Sequence, residues 1–231
     1  MSESHNIGAR VRALQEKIAA AAVAAGRDPA SVALLAASKT QSVEAIQEAL
    51  VAGQTLLGEN RAQSLRDKAP RLASHSPAPS WHFIGRLQKN KIKYVVPWAR
   101  LIHTVDSLAL AQAIGAKTSE PIGVLIQVNT GNDPAKGGVA PSTVLTLAEE
   151  INQVEGVHLR GLMTIPPFTD DPDQATPFFE ELAALAEAGR ARGLPLHELS
   201  MGMSGDFHQA IAAGSTIVRI GTAIFGARAR P

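Results

Sequence analysis

A single lysine, Lys39, ends the apolar run Val32-Ala33-Leu34-Leu35-Ala36-Ala37-Ser38. Far along the chain, Met203-Ser204-Gly205-Asp206 and Arg219-Ile220-Gly221-Thr222 gather hydroxyls, glycines and one arginine. An amine delivered by a strand and partly stripped of water loses pKa and can attack a carbonyl as the free base. Turn or helix-start N–H groups, with a hydroxyl or two, are what a phosphate needs, and glycine lets the backbone come close. Each feature has a plainer reading when taken alone. Lys39 would be a strand-end lysine reaching for water, Ser204 a helix N-cap and Gly221 a tight turn. Taken together they describe carbonyl chemistry beside an anion cradle.

The elements that must position these groups alternate along the chain. After an N-terminal helix over about Asn6–Gly26, apolar strands are expected at Val32–Lys39, Thr55–Asn60, Trp81–Leu87, Leu101–Asp106, Ile122–Asn129, Val157–Thr164, His197–Met203 and Thr216–Gly221. Helical patterns fall between and after them, at Val43–Val51, Ala62–Leu72, Lys91–Val96, Leu108–Gly115, Ser142–Val154, Asp173–Arg192 and Asp206–Ala213. Gly53, Gly115, Gly193 and Gly214 read as C-terminal helix stops. Nearly continuous apolar strands are those of a parallel sheet covered on the outside. Eight such units predict an α/β fold, a single (β/α)8 TIM-type barrel with an extra N-terminal helix, forming one domain over 1–231. A doubly wound open sheet would want a glycine-rich turn after the first strand; the turn here is Ser38-Lys39-Thr40-Gln41.

Composition narrows the function classes. The chain has 231 residues, of which 45% are hydrophobic, 19% charged and 4% aromatic, with a net charge of +1. So few aromatics argue against a base-stacking platform, and no basic run proposes a nucleic-acid or membrane partner. The absence of Cys excludes disulfides and thiolate chemistry and fits a reducing cytoplasm. Met1 to Arg12 holds no apolar leader core, and the alanine-rich window Ile18–Ala25 is too short for a membrane span. The seven histidines (His5, His75, His82, His103, His158, His197, His208) lack ligand spacing and read as strand-end or surface residues, so no metal is expected.

In such a barrel the functional groups sit at the C-terminal ends of strands, with phosphate after strands seven and eight. Lys39 ends strand one. An amine there and an anion cradle in that corner together suggest pyridoxal 5′-phosphate, its aldehyde condensed with Lys39 as a Schiff base and its phosphate on Ser204, Gly221 and Thr222. A Schiff-base aldolase acting on a sugar phosphate would carry its lysine on a late strand, and a phosphate-ester isomerase would need no Schiff base.

Ala37-Ser38-Lys39-Thr40, Gly58-Glu59-Asn60, Trp81-His82-Phe83-Ile84-Gly85, Gly161-Leu162-Met163, Leu199-Ser200-Met201-Gly202-Met203-Ser204 and Val218-Arg219-Ile220-Gly221-Thr222-Ala223-Ile224-Phe225-Gly226 occur in this order. In them the chain resembles the pyridoxal phosphate homeostasis protein family, from the N-terminal helix to Arg228. The resemblance implies a fold similar to the barrel domain of alanine racemase. It implies Lys39 as the Schiff-base lysine, phosphate contacts at Ser204, Gly221 and Thr222, Arg219 facing the pyridine nitrogen, and Met203 and Asn60 lining the cofactor. His82 reads as a buried strand histidine. The stretch Asn129–Gly138, with Lys136, resembles the family's flexible loop. The implied role is to bind, buffer and deliver pyridoxal phosphate as a monomer, with apo-enzymes as acceptors and no catalytic residue. The alternative is a weak pyridoxal-phosphate-dependent racemase or lyase. Two-base racemisation needs a second acid/base, and the only tyrosine, Tyr94, falls in the helix after strand three and reads as packing.

Overall fold

The computed structural model describes residues 6–226; His5 and Arg228 lie outside them. Eight parallel strands close into a barrel in chain order: β1 Ala33–Ala37, β2 Leu56–Glu59, β3 Ser80–Phe83, β4 Ala99–Val105, β5 Ile122–Gln127, β6 Val157–Met163, β7 Glu198–Ser200 and β8 Ile217–Ile220, with β8 pairing back onto β1. The helices are α1 Ile7–Ala24, α2 Val43–Val51, α3 Ala62–Leu72, α4 Ile92–Val95, α5 Leu108–Gly115, α6 Val144–Ile151, α7 Thr176–Ala191, α8 Phe207–Ala212 and α9 Thr222–Phe225.

Strand side chains alternate between two cores because successive residues point to opposite faces. Leu34, Ala36, Ile102, Val124, Val218 and Ile220 face outward into a large core beneath the helices. Leu35, Leu101, Leu125, Met163 and Ile217 face inward and fill the lumen. The extra helix α1 buries Ile7, Val11, Leu14, Ile18 and Ala22, one stripe at helical spacing, and packs on α2, α8 and α9. Asn6 starts it by accepting the Ala9 N–H at 2.9 Å. Ser42 does the same for α2 with the Ala45 N–H at 3.2 Å.

Some expected boundaries move. β3 ends at Phe83, not Leu87, because Gly85 must pass the Asn60 carbonyl so closely that a Cβ there would lie 2.0 Å from its oxygen. β7 stops at Ser200 as Gly202, at φ +92°, bends the chain out of the ladder. β4 starts earlier, at Ala99, and α9 is an element the sequence pattern did not announce. Gly53, Gly193 and Gly214 do follow helices at φ +88°, +80° and +100°. Gly115 does not: it is the last residue of α5, and a Cβ on it would sit 2.1 Å from the Glu155 carbonyl oxygen.

Candidate functional site

The C-terminal ends of β1, β7 and β8 surround a cavity of about 220 Å³. Lys39, Met203, Ser204, Arg219, Gly221 and Thr222 all line it, with Ala37, Thr40, Gln41, Gly205 and Gly226. Asn60 and Lys136 are not among the lining residues. Asn60 stands half-buried just after β2, its N–H on Glu59 Oε2 at 3.2 Å. Two larger clefts, of about 780 and 690 Å³, open at the other end of the barrel beside the starts of β5 and β6 and hold none of the expected residues.

Lys39 is held from behind. Ser38 is buried, and both its N–H (2.9 Å) and its hydroxyl (3.2 Å) donate to the Gly58 carbonyl, extending the β1–β2 ladder to the lysine's doorstep. Lys68 Nζ, on α3, donates to the Ser38 carbonyl at 3.1 Å and to Glu59 Oε1 at 2.5 Å. Glu59 is fully buried; burial raises its pKa against the pull of Lys68. Immediately after Lys39, Thr40 takes φ +68°, a strained geometry for a β-branched residue that turns the chain off the strand at the cavity edge.

Across the cavity, Met203–Asp206 forms a closed turn. Asp206 Oδ1 accepts the Met203 N–H at 2.6 Å and the Asp206 N–H reaches the Met203 carbonyl at 3.3 Å. Asp206, not Ser204, occupies the N-cap position of α8. Ser204 is therefore a turn residue, and the N–H groups of Ser204 and Gly205 have no partner among the described residues. Beside this turn, Gly221 precedes α9, whose first-turn amides at Thr222 and Ala223 have no intrahelical acceptor. A Cβ on Gly221 would lie 3.0 Å from the Ala37 carbonyl oxygen, a tight contact that the backbone would have to give way to, and glycine removes it where β8 leaves the barrel beside β1.

Arg219 points inward between Val218 and Ile220 and is 7% exposed. Its guanidinium donates to Ser200 Oγ at 2.7 Å and to the Thr164 carbonyl at 2.9 Å, both neutral acceptors. Burial lowers its pKa to about 10, which leaves it charged at neutral pH. Ser200 Oγ lies 2.8 Å from His103 Nδ1, and His103 Nε2 lies 2.9 Å from His82 Nδ1. His103 is thus no strand-end or surface residue; it is fully buried inside the barrel, and His82 is buried as a strand histidine. Desolvation first, then nearby positive charge, drives the pKa of both rings down, His82 to about 4. Glu59, His82 and Ser200 lie in the sequence segments that carry the family resemblance, but their partners Lys68 and His103 do not. A signal existed: His82, His103, Ser200 and Arg219 each interrupt an apolar strand at an inward position.

Tyr94 packs against the outer core with Arg66, Lys91 and Lys93 about its ring at 5.0, 5.7 and 5.2 Å. Among the described residues no group of three or more His, Asp or Glu is arranged to hold a metal, and no helix is long and apolar enough to cross a membrane.

Residues 4–229 match the family model described as alanine racemase, N-terminal domain. The pyridoxal phosphate homeostasis protein of Vibrio alginolyticus is 48% identical over 208 residues, covering 88% of this chain and 89% of its own length. The chain belongs to the pyridoxal phosphate homeostasis protein family. Its homologue of that name in Aquifex aeolicus is 42% identical over 223 residues, covering 95% and 97% of the two chains. Among solved structures, PipY of Synechococcus elongatus with PLP bound superposes with a TM-score of 0.83 at 34% identity, covering 95% of this chain and all of that one. Alanine racemase from Corynebacterium glutamicum shares the fold, with a TM-score of 0.65 at 18% identity; the match covers 94% of this chain and 62% of the racemase.

Proposed function

We propose that this protein binds pyridoxal 5′-phosphate in the cavity beside Lys39 and serves the intracellular homeostasis of that cofactor, buffering and delivering it without efficient catalysis. The observation that carries this is the convergence of one amine, one donor-only cation and a set of outward amides and hydroxyls on a single cavity. The names of the homologues and the PLP-bound structure of PipY support it.

The residues present suit the molecule. When bound, it supplies an electrophilic aldehyde carbon, a pyridine ring and an anionic ester. Lys39 offers the amine for a reversible covalent link. The Ser204 and Thr222 hydroxyls, with the amides of Ser204, Gly205, Thr222 and Ala223, can donate to the anion, and no carboxylate lines the cavity among the described residues. Arg219 can only donate, so a ring nitrogen opposite it must accept and stay unprotonated. An unprotonated ring is a poorer electron sink. The described lining also holds one proton-accepting side chain, Lys39, and no His, Tyr, Asp or Glu to serve as a second acid/base. Delivery implies apo-enzyme acceptors, and the protein is read as a monomer.

The test is a titration of the purified protein and of Lys39→Ala with pyridoxal 5′-phosphate. The wild type should gain a near-ultraviolet to visible band that borohydride removes, and the variant should not. α-Proton exchange of amino acids at a catalytic rate, absent in Lys39→Ala, would instead establish a racemase-type activity.

A further inference from the structure

Ser200 Oγ has two described partners, and one of them can only donate. Arg219 can only donate, at 2.7 Å, so the Ser200 oxygen accepts from it. The described acceptor within reach of the hydroxyl proton is the other partner, His103 Nδ1, at 2.8 Å. With Nδ1 accepting, a neutral His103 carries its proton on Nε2, which donates to His82 Nδ1 at 2.9 Å. In this tautomer donation runs one way, from Arg219 through Ser200 and His103 to His82. Neutrality of both rings follows first from their burial; Arg219 beside His103 and Arg160 near His82 add to it, Arg160 being itself paired with Glu198 at 2.6 Å. The links come from β3, β4, β7 and β8, so the chain spans the lumen from one wall to the other. A buried polar group left unpaired is costly, and these four inward positions are given to polar residues beside the apolar cluster of Leu35, Leu101, Leu125, Met163 and Ile217. The end of the chain is the one member that lines the cavity, Arg219.

We propose that Ser200, His103 and His82 form a one-way hydrogen-bond relay that positions Arg219, fixing the plane of its guanidinium while leaving its charge unneutralised, and so makes the cavity selective for a ring that presents an unprotonated acceptor nitrogen. The proposal rests on the cavity being the pyridoxal phosphate site. A carboxylate in place of Ser200 would orient the arginine equally well, but it would cancel the charge that keeps a ring nitrogen bare. Serine backed by neutral histidines orients without cancelling. These three are positioning residues; none of them lines the cavity.

Two measurements test this. In the ligand-free protein labelled with ¹⁵N-histidine, His103 should show a bare Nδ1 and a protonated Nε2, and neither ring should titrate between about pH 5.5 and 8. Ser200→Ala should abolish that tautomer preference, and Ser200→Thr, which keeps the hydroxyl, should restore it. The second measurement compares affinity for pyridoxal 5′-phosphate with that for its carbocyclic analogue, in which the ring nitrogen is a C–H. The wild type should prefer the pyridine, Ser200→Ala should shrink that preference about tenfold, and Ser200→Thr should recover it. A folded Ser200→Ala that discriminates as well as the wild type overturns the relay, as does a protonated His103 Nδ1 in the wild type. A wild type that binds neither ring overturns the assignment of the cavity itself, and the relay's purpose with it.

Discussion

The strand end that carries Lys39 is braced by the Glu59–Lys68 ion pair, whose lysine also donates to the Ser38 carbonyl. Removing Lys68 as Lys68→Met would leave Glu59 fully buried without its cation, so the variant should lose about 3–5 kcal/mol at neutral pH, read by chemical denaturation. A loss within measurement error would mean that the pair does not support the strand end. Thr222→Ala should weaken retention of pyridoxal 5′-phosphate by about 1–3 kcal/mol, the scale of a hydrogen bond to a charged group; calorimetry showing equal affinity would remove Thr222 from the anion cradle. His82 gives a pH dependence with a definite sign. Its pKa is about 4 in the fold against an ordinary 6.5, so the unfolded chain binds more protons between these values. Stability therefore falls as pH drops through that window, by up to about 3 kcal/mol. Glu59 and Glu198, raised by burial, act in the opposite sense, costing stability as pH rises. The His82 contribution is thus the difference between wild type and His82→Gln, and matching pH profiles for the two would contradict it.

At the scale of elements, the sequence made the strands legible because parallel strands covered by helices are apolar on both faces. That same uniformity hid their ends. β3 and β7 stop short where Gly85 and Gly202 turn the chain, and the apolar residues Leu87 and Met203 beyond them gave no sign of it. Lys39, Ser204, Gly221 and Thr222 were visible because their types carry chemistry at strand ends. Arg219 was visible too, whereas its supports were not: Ser200 and His103 lie 97 residues apart in sequence and meet only when β4 and β7 face each other across the lumen. Asn60 shares the rim but not the cavity lining, since adjacency along a motif does not fix which way a strand-end residue faces. The lumen's aliphatic layer should be as demanding as any core. Leu35→Ala, in a site with no exposure, should cost about 2–5 kcal/mol in denaturant unfolding, and a cost below about 1 kcal/mol would mean the lumen collapses around the gap.

For the whole molecule, closure of the barrel is what turns scattered residues into a site. Pairing β8 with β1 brings Lys39 beside Arg219 and Gly221, residues separated by most of the chain. The central claim is that the cavity they enclose carries pyridoxal 5′-phosphate on the Lys39 nitrogen. Its most direct test is peptide mapping by mass spectrometry after the protein is incubated with pyridoxal 5′-phosphate and reduced with borohydride. The added mass should fall on the peptide containing Lys39 at one equivalent per chain. Labelling spread over surface lysines, or centred on Lys136, would contradict it.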